Sequence, residues 1–226
     1  MSTPPEPAAP AAARETLPPP TAAGDARGRR SRRLDPEERR AQVVATACAI
    51  AREDGLAGIT MRTVAARAGV APALVSHYVP SMDELVAEAF ARVVSEELDD
   101  VTALLRGATA DQALERLVGT LMDGTRDDVT LVWVESWALG RRNEALAARV
   151  RDRMDAWKAV VLGVIDDGVR AGDLEVRDPD AAAWQVLGMI DGLNAQSLVR
   201  WGSTTERSGL VLRALRGMLT RETPRP

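Results

Sequence analysis

A single histidine, His77, and a single cysteine, Cys48, leave this 226-residue chain little covalent or metal chemistry to perform. A nucleophile needs a base within hydrogen-bond reach, and a zinc site needs Cys, His or carboxylate ligands at characteristic spacing; neither pattern is present. No cofactor and no metal is expected, and a helical enzyme is the least favoured reading. What the chain does carry is a set of hydrogen-bond donors: Thr60, Arg62 and Thr63, then Ser76, His77 and Tyr78. Hydroxyl groups such as those of Thr60, Thr63, Ser76 and Tyr78 donate to phosphate oxygens. A guanidinium bonds guanine O6 and N7 together, which makes Arg62 the candidate for a base edge. A second set is aromatic and thioether: Trp133, Trp137, Trp157 and Trp184, with Met122, Met154 and Met189 and the carboxylates Glu135 and Asp191. Indole faces attract cations, methionines adapt to irregular shapes, and an apolar cavity with a few charged groups suits a small molecule. The same side chains also fill ordinary cores, and Cys48 is read in that way.

The charge divides along the same line. Residues 26–78 hold ten arginines against five carboxylates, and residues 79–226 hold eighteen basic groups against twenty-five acidic ones, within a net charge of −4. A basic module ahead of an acidic one points to a polyanion for the first module alone, the plainer alternative being an ordinary solvated surface. At 46% hydrophobic residues, the chain has enough apolar side chains for a genuine core. Its apolar stretches are interrupted well short of the ~18 residues of a membrane span, and no signal-peptide pattern opens it. A cytoplasmic protein with no membrane partner is expected.

Helices must position these groups. Residues 1–33 read as a disordered Pro/Ala-rich tail followed by an arginine-rich arm, Arg27, Arg29, Arg30, Arg32 and Arg33. The arm either solubilises or follows DNA phosphates or a minor groove. Asp35-Pro36-Glu37-Glu38 supplies an N-cap, a proline for the first helical position and an acidic third residue, and Val43, Val44, Ala47, Ile50 and Ala51 recur at helical spacing up to Gly55. A short helix is expected from Thr60 to Gly69 and another from Pro72, the glycine turn between them making a helix-turn-helix candidate. Ser81 to Glu84 offers a further capping box, opening a long helix marked by Leu85, Val86, Ala89, Phe90, Val93, Val94, Leu98, Val101 and Leu105. No strand pattern follows. Helices are placed near 111–123, 127–140, 143–171, 179–201 and 205–221. The fold class is all-α, with a three-helix module over 34–80 and a larger helical domain over 81–226.

The segment Thr60-Met61-Arg62-Thr63-Val64-Ala65-Ala66-Arg67-Ala68-Gly69-Val70, followed by Ser76-His77-Tyr78, Pro80-Ser81 and Glu84-Leu85, resembles the DNA-binding signature of TetR-family regulators. Ser76-His77-Tyr78 together with Ile190-Asp191-Gly192-Leu193 looks further like the family's BetI-type branch, whose name-giving member responds to choline. The resemblance implies a homodimer that binds double-stranded operator DNA and is released by a small-molecule effector, cationic or amphipathic, which alters the spacing of the two DNA-binding units. It adds Pro72, Ala73 and His77 to the DNA-facing residues. It also implies a dimer interface on the last two helices, where Leu187, Leu198, Leu212, Leu215 and Leu219 fall, although these leucines also suit an internal helix pair. Met122, Trp133, Trp137, Met154, Trp157, Trp184 and Asp191 are the candidate effector contacts. The sequence departs from the common family pattern at Ala71, Ala73, Val79 and Met82, and Met82 removes a phosphate contact. A ligand-independent regulator or activator, controlled by a protein partner, is the competing function.

Overall fold

The computed structural model describes residues 35–219, so the expectations for the tail and the arginine-rich arm lie outside the described residues. Helix α1 (Pro36–Asp54) starts as its sequence dictates: the Asp35 carboxylate accepts from Glu38 N–H at 2.7 Å, and the Glu38 carboxylate accepts from Asp35 N–H at 3.0 Å. Gly55, at φ +78°, ends it and leads into a 3₁₀ turn over Leu56–Gly58. Helices α2 (Met61–Ala68) and α3 (Pro72–Tyr78) are joined through Gly69, whose φ of +67° and ψ of +36° require the left-handed region. Thr60 caps α2. Ala71, with no oxygen to offer, caps α3 with backbone alone. Helix α4 (Met82–Leu105) is capped by Ser81, whose hydroxyl oxygen accepts from Glu84 N–H at 3.0 Å; only this half of the expected box is made.

Five helices complete the described chain: α5 (Ala110–Met122), α6 (Asp127–Gly140), α7 (Glu144–Ala171), α8 (Pro179–Ser197) and α9 (Thr204–Leu219). No strand occurs among the described residues, and no described helix is long and apolar enough to cross a membrane. Gly172 ends α7 in the left-handed region, as its position predicts. Helix α8 stops four residues before its expected end at 201. Arg200 turns left-handed (φ +58°), and the N–H groups of Arg200 and Trp201 close back on the carbonyls of Ser197 (2.7 Å) and Gln196 (3.3 Å). The apolar rhythm of Leu198 and Trp201 continues past this stop and conceals it.

Helix α4 packs against α1 on one side and α7 on another. Val43, Val44, Ile50, Leu56, Val64, Val75 and Leu85 are fully or almost fully enclosed in the same buried cluster as Phe90, which meets Trp133 edge-on, and the cluster runs on through Val93, Val94 and Val101 to Val161 and Ile165. No apolar gap marks position 80/81. Helix α9 packs on α5 and α8, and here the expected dimer face is corrected. Leu215 and Leu219 are 3% and 1% exposed within their own chain, because α9 turns that stripe inward onto α5. They are core side chains. Leu198 and Leu212 are half-buried, whereas Trp184, Val199, Trp201 and Leu210 project large apolar surface outward.

Because Phe90 is shared by both parts of this continuous core, Phe90→Ala is expected to remove about 3–5 kcal/mol of stability. Urea unfolding followed by helical circular dichroism should show a lower midpoint and still a single transition; two transitions would mean that the halves fold independently.

Candidate functional site

The donor set of the first module sits on a helix-turn-helix face. Thr60, Arg62, Pro72, Ala73, Ser76 and His77 are exposed, and Thr63 and Tyr78 are half-buried. Arg67 on the same helix is tied to Glu53, whereas Arg62 carries no ion pair among the described residues. The structure redirects one expected phosphate donor. The Thr63 hydroxyl donates to the Gly58 carbonyl at 2.7 Å and its oxygen accepts from Thr60 N–H at 2.9 Å, so it holds α2 to the 3₁₀ turn. The Ser76 hydroxyl donates locally to the Ala73 carbonyl at 3.0 Å. His77 meets Tyr78 edge-on, ring centroids 5.1 Å apart.

The second set gathers around a cavity of about 330 Å³. Helices α4, α7, α8 and α6 each pack on the next in a closed ring, and Glu97, Thr130, Trp133, Met154, Trp157, Trp184, Asp191 and Asn194 reach the cavity from them. Five of the seven candidate effector residues are thus brought together. The other two are not. Met122 is 1% exposed and belongs to the core, one residue beyond Leu121, which lines the wall. Trp137 lies one turn beyond Trp133 and backs it, ring centroids 6.1 Å apart. Leu187, expected at a dimer surface, lines the cavity instead.

Sequence reasoning missed Glu97, in the run Ser95-Glu96-Glu97-Leu98-Asp99-Asp100 that reads as a solvated face. Its position on the stripe of Val93 and Val101, four residues to either side, is the signal that was available. Glu97 is 5% exposed, and Trp133 Nε1–H donates to its carboxylate at 3.3 Å. Burial pushes its carboxyl up to about 7, against the opposing influence of that hydrogen bond and of Arg126 and Arg52. Burial likewise raises the Asp191 carboxyl to about 6. At the mouth, the Lys158 ammonium lies 5.8 Å over the Trp184 ring and pairs with Asp180 at 2.6 Å, so the chain itself sets a cation on one of these indoles. No group of three or more metal-ligating side chains occurs among the described residues.

Glu135, on α6, faces away from this cavity. Its carboxylate accepts from Ala57 N–H at 2.9 Å and fills the space that a side chain at Gly55 would need, 2.5 Å from an ideal Cβ. Two turns earlier, Asp128 pairs with Arg52 at 2.7 Å, and the same guanidinium reaches Glu96 on α4 at 3.0 Å. Asn143, the N-cap of α7, donates its side-chain N–H to the Asp83 carbonyl at 3.1 Å.

A helix-turn-helix unit sharing one core with a helical bundle that encloses a cavity defines a class, and comparison with known proteins places the chain in it. Residues 43–89 match the bacterial regulatory proteins of the tetR family, and residues 110–220 match the C-terminal domain of BetI-type transcriptional repressors. The chain belongs to the TetR family. It is 31% identical over 106 residues to the HTH-type transcriptional regulator BetI 2 of Chromohalobacter salexigens, covering 44% of this chain and 51% of that protein. It is 35% identical over 107 residues to BetI of Burkholderia thailandensis, covering 45% and 54%. The chain thus spans about half the length of the curated relatives it matches. Among solved structures, a transcriptional regulator of Saccharomonospora viridis in complex with choline superposes with a TM-score of 0.73 at 24% identity, over 82% of this chain and all of that one. A TetR-family regulator of a Rhodococcus species gives 0.69 at 21%, over 81% and 100%.

The raised Glu97 carboxyl carries a stability prediction. The unfolded chain releases this proton near pH 4.5 and the folded one near 7. The folded state therefore holds the extra proton across that window, and stability falls as pH rises through it. Glu97→Gln removes the penalty: the variant should match the wild type near pH 4 and exceed it by on the order of 2–3 kcal/mol at pH 8. Urea titrations at the two pH values measure the difference, and equal gains at both would rule out the buried ionisation as its source.

Proposed function

We propose that the chain is a cytoplasmic, homodimeric transcriptional repressor that grips a near-palindromic operator through α2 and α3 and is released when a cationic small molecule enters the α4–α6–α7–α8 cavity. The observation that carries this reading is the pairing, in one continuous core, of an exposed recognition face bearing the unpaired Arg62 with a cavity walled by three indoles and three carboxylates, Glu97, Asp155 and Asp191, with Arg151 and Lys158 beside them. Indole faces and desolvated carboxylates favour a cation, and Lys158 over Trp184 is an intramolecular precedent. The choline held by the Saccharomonospora viridis regulator makes quaternary amines the first compounds to screen.

The outward apolar surface of Trp184, Val199, Trp201 and Leu210 supports a dimer through α8 and α9, with Leu198 and Leu212 beside it and Leu215 and Leu219 left to each chain's own core. An open cavity argues for a small-molecule effector over control by a protein partner alone. The effector acts only through its unequal affinity for the two dimer states: a tenfold preference contributes about 1.4 kcal/mol.

Selection of bound genomic DNA should return half-sites related by a two-fold axis, with affinity falling steeply as salt rises. Arg62→Ala is expected to weaken binding by about 1–3 kcal/mol and to relax the preference at one base pair of each half-site. Anisotropy titrations with matched and altered duplexes measure both effects; equal binding to operator and random duplex would reject the repressor reading. Asp191→Asn, in turn, should weaken release by a cation while operator affinity stays as it was.

A further inference from the structure

Helix α6 is engaged on two sides. Trp133 and Thr130 line the cavity, and Trp133 is bonded to Glu97. Asp128 and Glu135, seven residues apart and so on one helical face, hold the end of α1 and the 3₁₀ turn through Arg52 and Ala57. We infer that Glu135 is a positioning residue for communication between the two sites, its carboxylate seated on the Gly55–Ala57 backbone fixing the 3₁₀ turn, and with it α2, to the helix that walls the cavity. This inference rests on the proposed DNA-binding and effector-binding roles.

Three observations support it. First, the seat is built for the carboxylate: Gly55 adopts φ +78° and ψ 175°, a region nearly confined to glycine, and an added Cβ would lie 2.5 Å from Glu135 Oε2. Second, the contact leads directly into the recognition unit. Ala57 N–H donates to Glu135; its neighbour Gly58 accepts from the Thr63 hydroxyl; and Thr63 Oγ1 bonds Thr60, the cap of α2. Third, the Glu135–Ala57 bond joins residues 78 positions apart, so local helix geometry does not require it. Arg52 to Asp128 forms a second tie, but both side chains are about one-third exposed and solvent screens the pair.

The test uses reciprocity: if the cavity's occupant alters DNA affinity through this contact, DNA binding must alter the cavity wall through it. Hydrogen exchange of the full chain is followed over residues 127–140, with and without the selected operator duplex, and operator affinity is measured with and without choline chloride as probe. In the wild type, the duplex should change exchange at α6 and the probe should shift affinity by a factor within the roughly 5- to 150-fold range usual for coupled sites. Glu135→Ala should bind duplex and probe, yet lose the change at α6 and most of the probe's effect, while Glu135→Gln, which still accepts from Ala57, should restore both. If Glu135→Ala fails to fold, Glu135→Asp, too short to reach the turn, takes its place with the same expectation.

Retention of the α6 change and the probe's full effect in the shortened or truncated variant would overturn the inference and leave α4 as the route. Loss of both in Glu135→Gln as well as Glu135→Ala would also overturn it, since the accepted hydrogen bond would not then be the operative contact. Failure of the wild type to bind any duplex selectively would reject instead the function on which the inference rests. A wild type whose operator affinity ignores the probe but whose α6 responds to DNA keeps the contact and rejects choline as the effector.

Discussion

Helix α4 must satisfy two cores at once, and the rest of the structure follows from that requirement. A helix with one apolar stripe can close a three-helix module or contribute to a bundle, whereas α4 packs on α1 as well as on α6 and α7, and buries Leu85, Ala89, Phe90, Val93, Val94 and Val101 in one cluster, with Phe90 edge-on to Trp133 of α6. The apolar side chains begin in its first turn and persist through its length. The recognition helices are consequently packed, through Val64 and Val75, onto the same continuous interior that reaches the cavity. Close-packed interiors transmit displacement because they have few voids in which to absorb it. A bundle that shifts to admit a molecule therefore has a physical connection to α2 and α3.

The cavity has a second constraint, electrostatic in kind. Glu97 takes an apolar position on the α4 stripe, and its carboxylate accepts a hydrogen bond from the Trp133 indole N–H. Removing a carboxylate from water without a full set of partners favours its neutral form, which is why Glu97 and Asp191 hold protons well above the usual carboxylate range. On the proposed effector role, an entering cation supplies what burial withholds, and the intrinsic penalty on the ionised carboxylates becomes part of the selectivity against neutral molecules. The indole rings add attraction without adding charge, so the empty cavity is less costly to maintain than one lined by further carboxylates.

What could be read from residues alone was what local chemistry determines. Asp35 with Glu38, Thr60 with Gly69, Pro72 and Gly172 each carry the start or stop of a helix in their own side chains or backbone freedom, and the helices stand where those signals put them. The residues that the family resemblance marked lie exposed or half-buried on the helix-turn-helix unit, because its spacings are local too. The failures share a different cause. Leu215 and Leu219 look the same whether their partner is α5 of one chain or a second copy; Met122 and Leu121 differ by a single step of helix rotation; and Glu97, although it falls on the stripe of Val93 and Val101, is masked by the acidic run around it. Helical periodicity reports that a face is buried and says nothing of what buries it.

The departures from the family pattern fit this division between local and long-range demands. Ala71 leaves α3 without a side-chain cap, yet α3 carries Pro72 at its first position and pins Val75 into the core, so packing holds a helix that its own terminus supports weakly. Val79, in place of an aromatic residue, is still 7% exposed and continues the same apolar seal. The first module thus has the interior contacts that orient α2 and α3 but lacks polar side chains at the two ends of α3. Under the proposed function, fewer fixed donors at the ends of α3 leave operator affinity more dependent on how the whole module is held. That holding depends on α1, α4 and the seat of Glu135 beneath the 3₁₀ turn. Under the proposed function, a recognition unit whose grip derives from its mounting, more than from the number of its own phosphate donors, is one that a modest movement of the mounting can release.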